Sequence, residues 1–355
     1  MHAVAEIPHD FVFLRLSPHH PDLPLPPDPP LPDGGKSLSP SLAVNLYYLP
    51  LHFWCQPLSP QKPQKFLLFR PEILPFYFHR SRVRVEVLKL LQRRGIRPSK
   101  RAGQHFLVVE DVLRRMVEYA ELSPQDTVLE IGAGIGNLTT LLAERAGKVL
   151  ALEKDRRLLP VLRERLSGYD NVELMNVDFL KAELPPFNKV VSNLPFQISS
   201  KATFKLLGMK FELAVLTYQR EFARRLVASP GSEDYGRLTV AVGMRAEVEL
   251  MEEVSPACFF PPPKVSSAIV RLRPRPPPLS PKSWETFDGV LRALFQHRRQ
   301  KVRNALFHSL SKLWPGTSKR EASSLLARIP SELLEKRVLD LKPEEIVRLS
   351  DFTSP

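Results

Sequence analysis

The chain has 355 residues and a net charge of +13, from 51 lysines and arginines against 38 aspartates and glutamates. This excess of positive charge favours a polyanionic partner such as a nucleic acid, although a merely soluble basic protein has the same composition. No apolar run approaches the ~20 residues of a membrane span. The only cysteines, Cys55 and Cys258, form no CxxC pair or disulfide framework. We therefore expect a reducing compartment, the cytoplasm.

Residues 1–82 differ in composition from the rest of the chain. Sixteen of the 36 prolines lie before residue 81, and no helical or strand period accompanies them. Proline without periodicity is typical of polyproline-like or disordered chain, and a docking arm for a partner is one interpretation. We favour the interpretation that this segment is not part of the native protein. Because Met116 is the next methionine after Met1, a start near Val83 to Leu88 would need a non-Met initiation codon.

From residue 83 onward the pattern becomes globular. A short basic helix is predicted over residues 83–93 and another helix over 111–120. Strand-like apolar runs then alternate with helical patterns of about ten residues, which predicts an α/β fold with a parallel, doubly wound sheet. The predicted strands cover residues 127–131, 148–152, 172–177, 189–192 and 213–217. The predicted helices between them cover residues 137–146, 156–166 and 200–207.

The end of the chain is predicted to be different in character. Helices are expected over residues 219–228 and 235–245, and strands 246–254 and 267–272 are expected to form an antiparallel pair at the sheet edge. Prolines are frequent again in residues 273–281, which indicates a domain boundary. The predicted parts of the chain are therefore residues 1–82, 83–275 and 276–355, and the last of these is helical and basic.

A glycine-rich turn follows the first strand of the predicted sheet. Gly132, Gly134 and Gly136 alternate with other residues immediately after an apolar strand, and a helical pattern starts behind them. Glycine allows positive φ and a close approach of ligand to backbone, while the helix start offers free N–H groups. The G-x-G-x-G spacing is not that of a dinucleotide fold. By itself the turn is a weak signal for a nucleotide-like ligand.

Polar residues follow the next three strands. Glu153 ends the second strand, Asp178 follows the third, and Asn193 follows the fourth. Ligands of such sheets bind at the carboxyl ends of the strands, where a carboxylate like Glu153 can accept hydrogen bonds from ribose. Asp178 is placed to accept one from an adenine amino group. Each residue alone could equally be a helix cap or turn residue, but the three together indicate a nucleotide-like ligand.

The segment from Asn193 to Phe196 is the most specific. The side-chain carbonyl of Asn193 and the main-chain carbonyl of Leu194 form a pair of acceptors that can hold an exocyclic amine. Pro195 stiffens the turn, and Phe196 offers a base a stacking face worth about 1–3 kcal/mol. The alternative is an ordinary proline-terminated strand with a core phenylalanine.

Taken together, these motifs resemble those of the ribosomal RNA adenine dimethyltransferases, the KsgA-type family. The resemblance runs from about Arg93 into the C-terminal region and leaves the first 80 residues unexplained. The matching segments are residues 103–107, 130–139, 153–155, 178, 193–196, 235–238 and 260–265.

The resemblance implies a Rossmann-like class I methyltransferase domain followed by a small all-helical RNA-binding domain. It implies transfer of methyl groups from S-adenosylmethionine to the N6 amino groups of two adjacent adenosines near the 3′ end of small-subunit ribosomal RNA. A role in small-subunit biogenesis, a monomeric state and no metal are further expectations. The partner would be this RNA or the pre-ribosomal small subunit, and not a membrane.

Residue roles carried over by position follow from the same resemblance. The implied catalytic residues are Asn193, Leu194, Pro195 and Phe196. The implied cofactor-binding residues are His105 and Leu107 at the methionine part, Gly132 and Gly134 beneath it, Glu153 at the ribose, Asp178 at the adenine, and Asn193 near the sulfonium methyl. Two departures are Phe196, where many relatives have tyrosine, and His105, where bacterial members typically have asparagine.

Clustered cations indicate phosphate contacts and recognition of RNA shape. The alternative is that they form solvated helix faces. The predicted RNA-binding residues are Arg220, Arg224, Arg225, Arg237, Lys264, Arg298, Arg299, Lys301 and Arg303.

Three other functions compete with this interpretation. The related methyltransferases of large-subunit RNA that confer antibiotic resistance are the nearest, and residues 260–265 with the long C-terminal region favour the small-subunit type. A DNA adenine methyltransferase would be expected to carry a separate base-reading domain. An assembly or transcription factor without turnover would be expected to lose the acceptors or glycines, and all of them are present.

Overall fold

The computed structural model of the chain describes residues 13–15, 66–68, 87–99, 103–313 and 318–353. The chain divides into two compact units, residues 1–89 and 90–355. In the first unit, β1 (Phe13–Arg15) and β2 (Phe66–Leu68) pair antiparallel, a pairing that the sequence did not predict. The predicted disorder or non-native origin of residues 1–82 otherwise lies outside the described residues.

The second unit is built on a seven-stranded sheet. Its strands are β4 (Thr127–Ile131), β5 (Lys148–Leu152), β6 (Val172–Met175), β7 (Lys189–Ser192), β8 (Leu213–Gln219), β9 (Ala246–Val254) and β11 (Ser267–Pro274). A separate two-stranded sheet joins β3 (Phe106–Leu107) to β10 (Phe259–Phe260). The order in the large sheet is β6-β5-β4-β7-β8-β11-β9.

The sheet confirms the predicted α/β architecture. Strands β4 to β8 are parallel, and β11 pairs antiparallel with both β8 and β9, which forms the edge. Val128, Leu129, Val149 and Leu150 are all 0% exposed, as expected for parallel strands that are covered on both faces. Strand β6 stops at Met175, two residues earlier than predicted, because the N–H of Val177 turns back to the Met175 carbonyl.

The strand order reverses beside β4. The chain runs outward from β4 to β5 and β6, and then crosses to β7 on the other side of β4. In open α/β sheets, ligands bind outside the carboxyl ends of the strands at such a switch point. The turns that follow β4 and β7 therefore face the same crevice.

The helices follow the predicted order. A helical segment covers residues 87–93, and the rest of the helix predicted from residue 83 lies outside the described residues. In the sheet region the helices are α1 (Glu110–Tyr119), α2 (Asn137–Ala143), α3 (Leu159–Leu166), α4 (Ser199–Leu207), α5 (Arg220–Leu226) and α6 (Arg237–Gly243). They are followed by α7 (Trp284–Gln296), α8 (Val302–Leu313), α9 (Lys319–Ala327), α10 (Ser331–Glu335) and α11 (Pro343–Thr353).

Helix α2 ends three residues before its predicted end. A Cβ at Gly147 would lie 2.0 Å from the Pro124 carbonyl oxygen, so the chain passes against another backbone segment there and only glycine fits. The N–H of Arg145 already bonds the Leu142 carbonyl in a tighter turn. The close approach of Gly147 thus sets where the chain leaves α2 and starts β5.

The C-terminal helices share an apolar core with the segment around α6. Tyr235, Val240, Phe287, Leu294 and Val347 are all at most 1% exposed in this one cluster. The Tyr235 hydroxyl donates to the Leu341 carbonyl at 2.7 Å, and burial raises the pKa of Tyr235. The predicted boundary at residue 275 stays a prediction.

Among the described helices, none is long and apolar enough to cross a membrane.

Removal of the Tyr235 hydroxyl should weaken this core. Tyr235→Phe leaves the buried carbonyl of Leu341 without its donor, so we expect the free energy of unfolding to fall by about 1–3 kcal/mol. Tyr169→Phe, at a half-buried turn position, is the control. Urea denaturation of both variants measures the difference, and equal stability of the two would show that the Tyr235 bond contributes nothing.

Candidate active site

A cavity of about 530 Å³ lies at the carboxyl ends of the central strands, within the usual size of small-molecule sites. The segment before β3 and the turns after β4, β5, β6 and β7 meet in it. The lining includes Gly103, Gln104, His105, Phe106, Gly132, Gly134, Glu153, Asp155, Asp178, Asn193, Leu194, Pro195 and Phe196. Most of the residues predicted from the sequence to bind a ligand are therefore brought into one cleft.

The glycine turn can exist only with glycines. Gly132, Gly134 and Gly136 have φ values of 83°, 63° and 84°, which side chains rarely adopt. A Cβ at Gly132 would lie 3.2 Å from Pro195 Cγ, and one at Gly134 would lie 3.2 Å from the Phe106 ring. The turn therefore packs directly against the turn after β7 and against β3.

Glu153 is held rigidly at the end of β5. The side chain is only 6% exposed, and its two oxygens accept from the N–H groups of Gly134 at 2.8 Å and Asp155 at 2.7 Å. Burial raises the pKa of Glu153, while these two N–H groups act in the opposite direction. Each carboxylate oxygen keeps acceptor capacity, so the pair can receive two vicinal hydroxyls.

Asp178 offers a second carboxylate on the same side of the cleft. Lys154 Nζ donates to Asp178 Oδ2 at 2.8 Å, and the N–H of Leu180 donates to Oδ1 at 3.0 Å. The hydrogen bond from Lys154 lowers the pKa of Asp178. The carboxylate is thus a charged acceptor at neutral pH, as recognition of an amino group requires.

The side-chain oxygen of Asn193 is a hydrogen-bond acceptor that receives no hydrogen bond from the described residues. Its Nδ2 donates to the His105 main-chain carbonyl at 2.9 Å, and because that carbonyl can only accept, the orientation of the amide is determined. The other amide atom, Oδ1, is buried and makes no hydrogen bond with any described residue. A buried acceptor left unpaired costs about 1–3 kcal/mol, which a ligand donor would recover.

Aromatic rings line the cleft beside Asn193. Half-buried Phe196 stacks on His105, with ring centroids 5.7 Å apart and an interplanar angle of 28°. Phe259 approaches Phe196 edge-on at 6.3 Å. Sequence reasoning did not single out Phe259, although it directly precedes a matched motif.

The pairing of β3 with β10 was also missed. Phe106 lies opposite Phe260 and Leu107 opposite Phe259. Strands of two residues have no period that a sequence pattern can reveal. The only available signal was that both segments carry family motifs.

Gln104 is a further cleft residue without a predicted role. Its Nε2 donates to Asp155 Oδ2 at 2.9 Å, and its Oε1 accepts from the N–H of Ser99 at 2.8 Å. Hydrogen bonds from Arg157 hold the pKa of Asp155 at about 2, and Gln104 acts in the same direction. Gln104 therefore ties the segment before β3 to the turn after β5.

Leu107 is the one predicted cofactor residue that does not line the cleft. Its side chain is 3% exposed, and its carbonyl accepts from Asn137 Nδ2 at 2.9 Å. Arg165 in turn donates to Asn137 Oδ1 at 2.7 Å. The contact of Leu107 with a cofactor stays a prediction.

None of the nine basic residues predicted to bind RNA lines the cleft. Five of them contact protein acceptors instead. Arg220 and Arg224 each lie 3.6 Å from Glu253, and Arg298 donates to the Glu233 carbonyl. Lys301 and Arg303 lie 2.7 and 2.9 Å from Glu335. Arg225, Arg237, Lys264 and Arg299 are exposed.

In the described part of the chain, no cluster of His, Cys, Asp or Glu is placed to hold a metal ion.

Comparison with known proteins agrees with this arrangement. The model of the family described as ribosomal RNA adenine dimethylase matches residues 97–326. The chain belongs to the ribosomal RNA adenine dimethylase family. The resemblance inferred from the motifs is thereby confirmed, and the family assignment makes S-adenosylmethionine the methyl donor.

Two relatives are similar to the chain over most of their own length. A protein of Methanopyrus kandleri named probable ribosomal RNA small subunit methyltransferase A is 47% identical over 272 residues, which are 75% of this chain and 96% of that protein. One of the same name from Methanothermobacter thermautotrophicus is 46% identical over 266 residues, covering 75% and 94% of the two chains.

Solved structures confirm the class I methyltransferase fold. A dimethyladenosine transferase from Plasmodium falciparum superposes with a TM-score of 0.57 at 31% identity, covering 67% of this chain and 94% of that one. The 23S rRNA methyltransferase ErmE superposes with a TM-score of 0.52 at 34% identity, covering 70% and 98%.

Glu130 lies in β4, directly before the glycine turn of this dimethylase fold. It is 2% exposed and accepts from Thr139 Oγ1 at 2.6 Å. Burial raises the pKa of Glu130 to about 8, and the nearby charge of Glu153 adds to the effect. Sequence reasoning quoted Glu130 in a motif but gave it no role.

The stability of the protein should depend on Glu130 above pH 4.5. A carboxyl with a raised pKa in the folded state binds more protons there than in the unfolded state, so the free energy of unfolding falls as pH rises from 4.5 to about 8. The contribution is at most about 1.4 kcal/mol per pH unit. Glu130→Gln should remove it. Denaturation of both proteins at intervals between pH 5 and 9 measures the difference, and parallel curves would contradict the assignment.

Proposed function

We propose that the protein transfers methyl groups from S-adenosylmethionine to the N6 amino groups of two adjacent adenosines near the 3′ end of small-subunit ribosomal RNA. The unpaired acceptor of Asn193 carries the proposal, because it shares a cleft with Glu153 and Asp178. One side of the cleft thus suits a nucleoside, and the other suits an exocyclic amine.

The residues of the cleft suit the donor. Glu153 would bind the ribose hydroxyls with its two fixed oxygens, and Asp178 would accept from the adenine amino group. Gly132 and Gly134 line the cleft, so on this side a ligand would meet the glycine turn itself. S-adenosylmethionine, when bound, supplies a methyl group that is already activated on a positively charged sulfur. The protein therefore has mainly to align the reactants and exclude water.

Asn193 and Leu194 would act on the target amine. The lone pair of an adenine amino group is delocalised into the ring, which makes the group a poor nucleophile. Two carbonyl acceptors that receive its hydrogens favour the pyramidal form, direct the lone pair outward, and stabilise positive charge as it develops on nitrogen. The bond from Asn193 Nδ2 to the His105 carbonyl keeps the acceptor in place, so no reorganisation is needed during the reaction.

Phe196 would hold the extruded base. An adenine inside a helical stack cannot reach a cleft, so the target must leave its stack. The accessible part of the Phe196 ring can replace some of the stacking energy that is lost. Phenylalanine in place of tyrosine keeps this function and lacks only a phenolic hydrogen bond.

The RNA itself would be held by the basic residues outside the cleft. Lys264, Arg225, Arg237 and Arg299 are exposed, and phosphate contacts from such side chains suit recognition of RNA shape. We further propose that the protein is a cytoplasmic monomer that acts on the pre-ribosomal small subunit and contributes to its biogenesis.

The main competing function is methylation of large-subunit RNA. The similarity to ErmE at 34% identity favours it, whereas relatives named small subunit methyltransferase A reach 47% identity over three quarters of the chain. Incubation with labelled S-adenosylmethionine and separate unmodified small and large subunits, followed by mapping of the modified nucleotides, distinguishes the two. Label in large-subunit RNA alone would overturn the proposal.

Loss of the Asn193 acceptor should damage the chemistry more than cofactor binding. Asn193→Ala is expected to lower kcat for methyl transfer by about 10²–10³-fold, the usual effect of losing one group that stabilises the transition state. Affinity for S-adenosylhomocysteine, measured by calorimetry, should be largely unchanged. Gln125→Ala, which removes an exposed amide, is the control. Near-normal turnover of Asn193→Ala would remove the proposed role.

Binding of RNA should weaken steeply with salt. If Arg225 contacts a phosphate, Arg225→Gln lowers the slope of log affinity against log salt concentration by about 0.7–0.9. Arg163→Gln changes the net charge equally at another exposed site, on α3, and should keep the wild-type slope. Filter-binding measurements of RNA affinity at salt concentrations from 50 to 300 mM give this slope. Equal slopes for both variants would exclude Arg225 from the RNA contact.

A further inference from the structure

His105 lies where the small ladder of β3 and β10 stops. Leu107 is opposite Phe259 and Phe106 is opposite Phe260, so the same register places His105 opposite Pro261. Proline has no N–H group and cannot continue an antiparallel ladder as a donor. The main-chain ladder between the two described segments accordingly ends at Phe106 and Phe260.

The His105 side chain adds a hydrogen bond just past the end of this ladder. Its Nδ1 lies 2.7 Å from the Pro261 carbonyl oxygen. Because a carbonyl oxygen can only accept, Nδ1 carries the hydrogen. A side chain thus links the segment before β3 to the loop after β10, beyond the last pair of the main-chain ladder.

The same residue also contacts both ends of the proposed catalytic turn. The main-chain carbonyl of His105 accepts from Asn193 Nδ2 at 2.9 Å, and its ring stacks on Phe196 at 5.7 Å. The ring nitrogen Nδ1 of His105 also donates to the Pro261 carbonyl. One residue therefore connects the amine acceptor, the stacking ring and the loop after β10.

In the described contacts, His105 bonds neither of the carboxylates proposed to bind the cofactor, although all three residues line one cleft. Glu153 and Asp178, the two carboxylates proposed to bind the cofactor, are held by Gly134, Asp155, Lys154 and Leu180. The ring nitrogen Nδ1 is instead committed to Pro261. The cofactor contact that the resemblance implied for His105 stays a prediction, and the geometry adds a second role through Nδ1.

We propose that His105 is a positioning residue for the target adenosine. Its Nδ1–H holds the loop that starts at Pro261 against the turn from Asn193 to Phe196, so that an incoming base meets the amine acceptor and the stacking ring in one fixed arrangement. This inference rests on the proposed function and refines the side of the cleft that receives RNA.

Two substitutions separate the hydrogen bond from the ring. His105→Phe keeps a flat ring next to Phe196 and removes the donor. His105→Asn removes the ring and keeps an amide nitrogen at the position of Nδ1, with hydrogens to donate. The main-chain carbonyl that accepts from Asn193 is present in both variants.

The measurements are single-turnover methyl transfer to unmodified small subunits, calorimetric affinity for S-adenosylhomocysteine, and the thermal midpoint. His105→Phe should lower the transfer rate by about 10–100-fold, since small misplacements of reactants cost about this much. His105→Asn should recover most of the rate. Both variants should keep the wild-type affinity for S-adenosylhomocysteine. If His105→Phe does not fold, His105→Leu is the second variant without a donor.

Three results would overturn the inference. These are a His105→Phe protein as fast as wild type, a His105→Asn protein as slow as His105→Phe, and a loss of S-adenosylhomocysteine affinity that accounts for the whole defect. A wild-type protein that does not methylate adenosine would instead overturn the proposed function and the inference with it. If the wild type and His105→Phe methylate adenosine equally fast, the inference is overturned and the proposed function is not.

Discussion

The close contact between the turns after β4 and β7 is the constraint on which the rest of the site depends. The two strands are parallel neighbours at the switch in strand order, so their carboxyl ends open into the same crevice. Pro195 packs so tightly on Gly132 that a Cβ there would lie 3.2 Å away. This contact joins the part of the cleft suited to a nucleoside with the part suited to an amine, and methyl transfer requires the two reactants side by side.

A second set of contacts supplies rigidity. Asn193 is oriented by the His105 carbonyl, and Glu153 is oriented by two main-chain N–H groups. Both residues would otherwise be free to rotate, and each would lose side-chain entropy on binding a ligand. Because folding has already ordered them, their acceptors are in place before any ligand arrives. This order has a free-energy cost in the folded protein, because the Asn193 oxygen is buried without a hydrogen-bond partner among the described residues and burial raises the pKa of Glu153.

The residues predicted to bind RNA lie apart from the cleft. None of the predicted RNA-binding residues reaches the cleft lining, and several are held by acidic partners such as Glu253 and Glu335. Exposed ion pairs of this kind contribute little to stability. We therefore expect these arginines and lysines to exchange a protein carboxylate for a phosphate at low cost, and RNA affinity to vary independently of the alignment in the cleft.

The sequence by itself determined the order of elements and nine of the residues that line the cleft. Alternation of apolar strands and helices is a local signal, and it placed β4, β5, β7 and β9 at their observed bounds. The polar residues at Glu153, Asp178 and Asn193 could be assigned to one crevice because the carboxyl ends of parallel strands share an edge of the sheet.

Only the tertiary structure decided which atoms are engaged and which are left open. The pairing of β3 with β10 joins segments about 150 residues apart through two-residue strands, too short for any periodic pattern. The bond from His105 to Pro261, the unpaired oxygen of Asn193 and the raised pKa of Glu130 all depend on burial and on neighbours distant in sequence. Residue order does not encode such neighbours locally, since they exist only once the whole sheet has formed.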